Sequence, residues 1–436
     1  VESLVAGPPP GQVAVPTGLR AELRPYQREG FEWLATLWDA GLGGILADDM
    51  GLGKTLQVLA AVAHAKESGR ATEPVLVVAP TSVVGGWAGE AARFTPGLTV
   101  RTVEQTAGKA GTPLAEHVAG ADVVVTSYAL LRIDFDSYDQ LAWSALVLDE
   151  AQFVKNHQAK THQSARRLAA PVKFALSGTP LENSLMDLWA LLSITAPGLF
   201  PDPRSFAEDY RTPIEREQDA DALRRLRRRT SPFLRRRTKE QVATELPPKL
   251  EQGLTVPLSP RHRKVYDTHL ARERRKILGL VEDLDKNRFT IFRSLTLLRQ
   301  LALAPELVDP DYAGVGSSKA EAFLEQLDEV VAEGHRALVF SQFTGYLGLV
   351  RARLEARGID YCYLDGRTRG RAARIREFKE GHAPVFLISL KAGGFGLNLT
   401  EADYCFMLDP WWNPAAEAQA IDRTHRIGQQ RPVMVY

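Results

Sequence analysis

A chain of 436 residues exceeds one ordinary hydrophobic core and points to at least two domains. Its 44% hydrophobic and 25% charged content is that of a folded globular chain, and a net charge of only +1 gives no bulk signal for a nucleic-acid partner. No apolar run reaches about eighteen residues and no signal-like leader opens the chain, which argues against membrane insertion and secretion. Cys362 and Cys405 sit in apolar strand-like segments and the nine histidines are scattered, which argues against a disulfide framework and a zinc site.

Residues 1–18, with Pro8-Pro9-Pro10-Gly11, read as a leader or linker, and the missing initial methionine suggests a piece of a longer protein. Leu23-Arg24-Pro25-Tyr26-Gln27, followed by Gly30 and Trp33, reads as a helix start. Short apolar strands are then expected at 44–47, 75–79, 123–126, 146–148 and 173–176, alternating with helical patterns, as in a parallel sheet covered on both faces. Each strand runs into a polar cluster: Asp48 to Thr55, Pro80-Thr81-Ser82, Ser127-Tyr128, Asp149-Glu150-Ala151-Gln152 and Ser177-Gly178-Thr179-Pro180. Ligand crevices of open parallel sheets lie beyond the carboxyl ends of the strands, so these clusters are expected to converge.

A second set repeats the layout at 337–340, 361–364, 385–388, 404–408 and 433–436, with Ser341-Gln342, Asp365-Gly366, 389–394 and Asp409-Pro410 at the ends. The expected fold is α/β, two similar parallel-sheet lobes with a cleft between them, at 19–246 and 247–436. Each carries a helical insertion, at about 183–246 and about 250–316, and Pro247-Pro248 marks the boundary. Within the first insertion, Arg224, Arg225, Arg227, Arg228, Arg229, Arg235, Arg236, Arg237 and Lys239 form a basic run that can track a phosphate backbone or serve as a solvated face.

Gly51-Leu52-Gly53-Lys54-Thr55 follows a strand and opens a helix, the context of a phosphate loop. Glycines let backbone N–H groups close on phosphate, Lys54 reaches the β and γ oxygens, and Thr55 offers a hydroxyl to Mg²⁺. The loop departs from the generic pattern at Asp48, where a glycine is usual. Asp149, expected to hold Mg²⁺ through water, is followed by Glu150, expected to orient or deprotonate the attacking water. The amide of Gln27 suits adenine. Near the C-terminus, a helix expected over 415–427 would place Gln419, Arg423 and Arg426 at i, i+4 and i+7 on one face suited to a polyphosphate.

These motifs, with Leu298-Arg299-Gln300, Leu364-Asp365-Gly366, 389–400 and 409–429, make the chain resemble the Swi/Snf (Snf2-type) ATPases of helicase superfamily two along nearly its whole length. The resemblance implies a pair of RecA-like lobes, ATP and Mg²⁺ as cofactors and double-stranded DNA as partner. Gln27, Asp48, Met50, Gly51, Leu52, Gly53, Lys54, Thr55, Gly396 and Gln419 would bind nucleotide, and Lys54, Asp149, Glu150 and the arginine fingers Arg423 and Arg426 would be catalytic. Thr81, Ser127, Ser341, Gln342, Lys391 and Trp412 are its DNA-facing candidates. It implies a duplex-DNA translocase that does not separate strands, acting as a monomer on a DNA-bound protein, in the cytoplasm of a bacterium or the nucleus of a eukaryote. A strand-separating helicase, a nucleotide-gated scaffold and a single-lobe kinase are the rival classes.

Overall fold

The sequences Val75–Ala79 and Val123–Ser127 place branched apolar side chains at successive positions, which suits a strand only when both faces are covered. The computed structural model describes residues 13–178, 184–242, 246–278, 284–393, 397–411 and 414–436, with the side chains of 284–286, 391, 393 and 415 outside that description. In it both segments are strands buried at every position. The chain divides into two compact units, Val1–Glu245 and Leu246–Tyr436.

In the first unit the strands are β1 (Gly44–Leu46), β2 (Val75–Ala79), β3 (Val100–Thr102), β4 (Val123–Ser127), β5 (Ala145–Leu148), β6 (Lys173–Leu176) and β7 (Leu234–Arg235). They form one sheet in the order β3-β4-β2-β5-β6-β1-β7, and every described pairing is parallel. The order is doubly wound, so the connections cover both faces. Trp143, Trp189, Phe206 and Tyr210 pack in the core beneath one face.

The second unit contains β8 (Lys249–Glu251), β9 (Ala337–Ser341), β10 (Tyr361–Leu364), β11 (Val385–Ser389), β12 (Tyr404–Met407) and β13 (Val433–Val435), in the order β10-β11-β9-β12-β13-β8. Its pairings are again parallel, and separate clusters around Phe406 and Phe386 fill the space on the two sides.

The helical insertions are present as Leu185–Thr195 and Ala220–Thr230 in the first unit and as Pro260–Leu278 and Leu284–Leu303 in the second. Their ends differ from expectation, because β7 and β8 return to the sheets where continuous helix and loop are expected. Both strands are short, lie at sheet edges and carry no apolar run, as does β3, so tertiary pairing rather than local pattern makes them strands. The helix expected over 415–427 is also shorter. It spans Pro414–Ile421, and turns and bends follow, so Arg423 and Arg426 do not share a helical face with Gln419. Among the described residues no helix is long and apolar enough to cross a membrane.

Candidate active site

Strand β1 ends at Leu46, and the loop that follows turns into helix Lys54–Glu67 through Gly51 at φ 84° and Gly53 at φ 78°. A side chain at Gly53 would be strained by that φ and would also stand 2.5 Å from Gln27 Nε2. The loop backbone is held from both sides. Tyr26 Oη donates to the Leu52 carbonyl at 3.2 Å, and Gln27 Nε2 donates to the same oxygen at 3.1 Å. Gln27 Oε1 accepts from the Arg24 backbone N–H at 3.1 Å.

Lys54 Nζ lies on its own loop, donating to the carbonyls of Asp48 at 2.6 Å and Asp49 at 3.2 Å. Thr55 and Met50 are half-buried, and Met50 fills the space that the missing side chain of Gly178 leaves at the end of β6. Two residues of the loop have buried side chains, so that only their backbone can face a phosphate. The Leu52 side chain is fully buried, so only its backbone faces the loop's interior hydrogen bonds. The Asp48 carboxylate is likewise 0% exposed and is taken up by Arg237, leaving its backbone carbonyl to Lys54.

At the end of β5 the two acids are both buried. Trp87 Nε1 donates to Asp149 Oδ2 at 2.8 Å, the Glu150 N–H donates to Asp149 Oδ1 at 2.9 Å, and Tyr128 Oη donates to the Asp149 carbonyl at 2.7 Å. Glu150 adopts φ 50° and ψ 55°, left-handed backbone that costs a non-glycine residue about 1–3 kcal/mol. Its carboxylate accepts from Gln152 Nε2 at 2.9 Å, and Gln152 Oε1 accepts from Ser177 Oγ at 3.3 Å, so one amide ties the acid to the end of β6.

Burial, and next the neighbouring charge of Glu150, raise the Asp149 carboxyl to about 7; the Trp87 hydrogen bond and Lys54 only partly oppose this. A carboxylate so short of positive charge fits a divalent cation. Mg²⁺ needs only one or two protein oxygens when phosphates and water complete its shell, and Asp149 with the Thr55 hydroxyl is such a donor set.

In the second unit the arginine tract packs on the segment after residue 396. Leu399 N donates to the Arg423 carbonyl at 3.0 Å, and Arg426 Nη1 donates to the Leu397 carbonyl at 3.3 Å. Gln429 Nε2 reaches the carbonyls of Thr400, Ala402 and Thr424. Arg423 is 1% exposed, whereas Arg426 and Gln419 are half-buried. Gln342 receives Arg299 Nη1 on its Oε1 at 3.3 Å, and Arg299 also lies 5.3 Å from the Trp411 ring centre.

Of the DNA-facing candidates, Thr81 is exposed. Ser127 and Ser341 are both buried, and their hydroxyls accept local backbone N–H groups, from Leu130 at 3.2 Å and Phe343 at 3.1 Å. Gly396, Trp412 and the side chain of Lys391 lie outside the described residues.

Sequence reasoning missed Trp87, Tyr128, Gln57 and Arg237. For Arg237 a signal existed, since an aspartate at the glycine position of a phosphate loop has to be buried, and a buried carboxylate needs a cation.

The description SNF2-related domain matches residues 26–307, and helicase conserved C-terminal domain matches 318–428. The first of these covers more than half of the chain. The chain belongs to the SNF2-related family. It is 37% identical over 431 residues to the Bacillus subtilis protein named as ATP-dependent helicase/translocase YwqA, covering 97% of this chain and 46% of that protein. Against the Saccharomyces cerevisiae ISWI chromatin-remodeling complex ATPase ISW1 the identity is 33%, covering 97% and 39%. Among solved structures, the Sulfolobus solfataricus SWI2/SNF2 ATPase core in complex with dsDNA is similar, with TM-score 0.53, 32% identity and coverage of 97% of this chain and 89% of that one. This SNF2-related chain thus spans less than half the length of these curated relatives, and within that span it shares the two parallel-sheet lobes of the SWI2/SNF2 core.

Proposed function

We propose that the chain is the motor of a DNA translocase: ATP hydrolysis, stimulated by duplex DNA, drives movement along the duplex without separating its strands. One observation carries the catalytic part of this reading, the buried Asp149-Glu150 pair at the end of β5, with Asp149 raised toward neutrality by burial and by its neighbour and Lys54 close enough to oppose that shift. Lys54 leaves its loop carbonyls for the phosphates, and the loop N–H groups close on the same oxygens. Mg²⁺, held by Asp149 and Thr55, would supply charge neutralisation of the phosphates. Glu150, fixed by Gln152, orients and deprotonates the attacking water, and Gln27 turns its amide to adenine. Arg423 and Arg426 are the arginines that stabilise the charge on the transferring phosphoryl group.

The likeness to a core solved on dsDNA supports duplex DNA as the track, and the remodelling and translocase relatives support a DNA-bound protein as the object moved. Action as a monomer belongs to the same proposal. The experiment compares ATP turnover with no nucleic acid, single strands, duplex DNA and RNA, alongside triplex displacement and a forked substrate. Duplex stimulation with triplex displacement and an intact fork is expected. Stimulation by single strands alone, or unwinding of the fork, would overturn this reading.

A further inference from the structure

Arg237 is the least surface-like member of the basic run, 7% exposed and surrounded by the phosphate-loop elements. Its Nε and backbone N–H donate to Asp48 Oδ1 at 2.9 and 3.1 Å, and its Nη2 to Asp48 Oδ2 at 2.5 Å. Nη2 also donates to Gln57 Oε1 at 2.8 Å, on the helix that the loop opens, and Nη1 donates to the carbonyl of Tyr26, next to Gln27. The backbone continues the same attachment. Asp49 N donates to the Arg237 carbonyl at 3.0 Å, and Lys239 N to Asp49 Oδ2 at 3.0 Å, extending the parallel pairing of β7 with β1.

A second observation concerns Gly30, in the middle of helix Pro25–Asp39. A Cβ there would stand 1.8 Å from Gln57 Oε1 and 2.6 Å from Arg237 Nη2, so the helix omits a side chain where the guanidinium passes.

We infer that Arg237 is a positioning residue for ATP binding: it sets the phosphate loop, its helix and the Tyr26-Gln27 turn in one register, in place of the glycine that a generic loop carries at Asp48. Every group it contacts is one step from a nucleotide-facing group: Asp48, whose carbonyl seats Lys54; Gln57, on the helix that carries Thr55; and Tyr26, beside Gln27. A planar fork is needed because four acceptor oxygens on three residues lie in fixed directions, and a lysine ammonium keeps the charge without reaching them all. From Arg237 the chain runs through helix Lys239–Val242 toward the unit boundary at Glu245, so the loop is tied to the segment that leads into the second unit.

The inference rests on the proposed ATP site, and the test separates the two. Binding of a fluorescent ATP analogue with Mg²⁺, steady-state turnover and thermal unfolding are measured for Arg237→Lys, Gly30→Ala, Arg235→Lys and Lys54→Ala. Arg235 pairs with Glu29 at the surface and serves as the control. Arg237→Lys and Gly30→Ala are expected to bind the analogue about tenfold more weakly and to raise KM by a similar factor, with kcat within about threefold. A purely structural role would instead reduce the active fraction, lowering kcat at unchanged KM, and would overturn the proposal. So would unchanged affinity in either folded variant; should Arg237→Lys not fold, Gly30→Ala decides by the same two results. Full analogue affinity in Lys54→Ala would defeat the ATP site itself and the inference with it.

Discussion

The two units build their charged groups on opposite plans. In the first, Asp149 and Glu150 stand at the end of a strand and Lys54 opens the helix after another, each acid fixed by a neutral donor: Trp87 for Asp149 and Gln152 for Glu150. In the second, Arg423 and Arg426 sit in turns beyond an eight-residue helix and are held by the carbonyls and N–H groups of residues 397–402. The first plan withholds charge neutralisation, leaving Asp149 raised by burial and by Glu150. The second buries one arginine completely and leaves its neighbour partly open. The contrast separates carboxylates short of positive charge from guanidinium groups packed within their own unit.

The largest expected effect divides the arginines. Arg426→Ala should lower DNA-stimulated turnover on the order of 10³-fold or more while leaving DNA binding and the unfolding temperature near those of the parent. Arg423→Ala should lower turnover and also destabilise the second unit, because its side chain is buried. Equal stability of the two variants would break the distinction. Next, Glu150→Gln should slow hydrolysis on the order of 10²- to 10⁴-fold with ATP affinity retained, as single-turnover and binding measurements would show. Full turnover would remove its role.

A third test uses pH. The native carboxyl of Asp149 is raised, so its contribution to the nucleotide-free fold is complete below the ordinary carboxylate pKa of about 4 and is lost as pH rises through about 7. Binding of Mg²⁺ with nucleotide requires the ionised form and runs the other way, weakening by about tenfold per unit as pH falls below about 7. Asp149→Asn should abolish both slopes, and a calorimetric titration at several pH values would detect the proton released on binding. Smallest is Trp87→Phe, which keeps the ring but loses one hydrogen bond to a carboxylate. It should raise the Mg²⁺ concentration for half-maximal turnover by about tenfold, the lower end of what such a bond contributes. No change would leave Trp87 as core packing alone.

Much of this was legible in the chain itself. Continuous apolar segments such as 75–79 and 385–388 can be satisfied only in a sheet covered on both faces, and turn chemistry after them fixed where Lys54, Asp149 and Glu150 would lie. Local pattern determined those elements because the information is contiguous. Tertiary structure alone decided the edge strands β3, β7 and β8, whose residues carry no strand pattern and gain it from a neighbour's unpaired backbone. It also decided the fate of polar side chains: Ser127 turned inward as a helix cap, Ser341 turned inward to the backbone just past its strand, and Arg237 left a basic run to enter the phosphate loop. Charge and polarity can be read from a residue's identity, but whether a polar group faces solvent, a ligand or a buried partner depends on atoms distant in sequence, here 189 residues apart for Arg237 and Asp48.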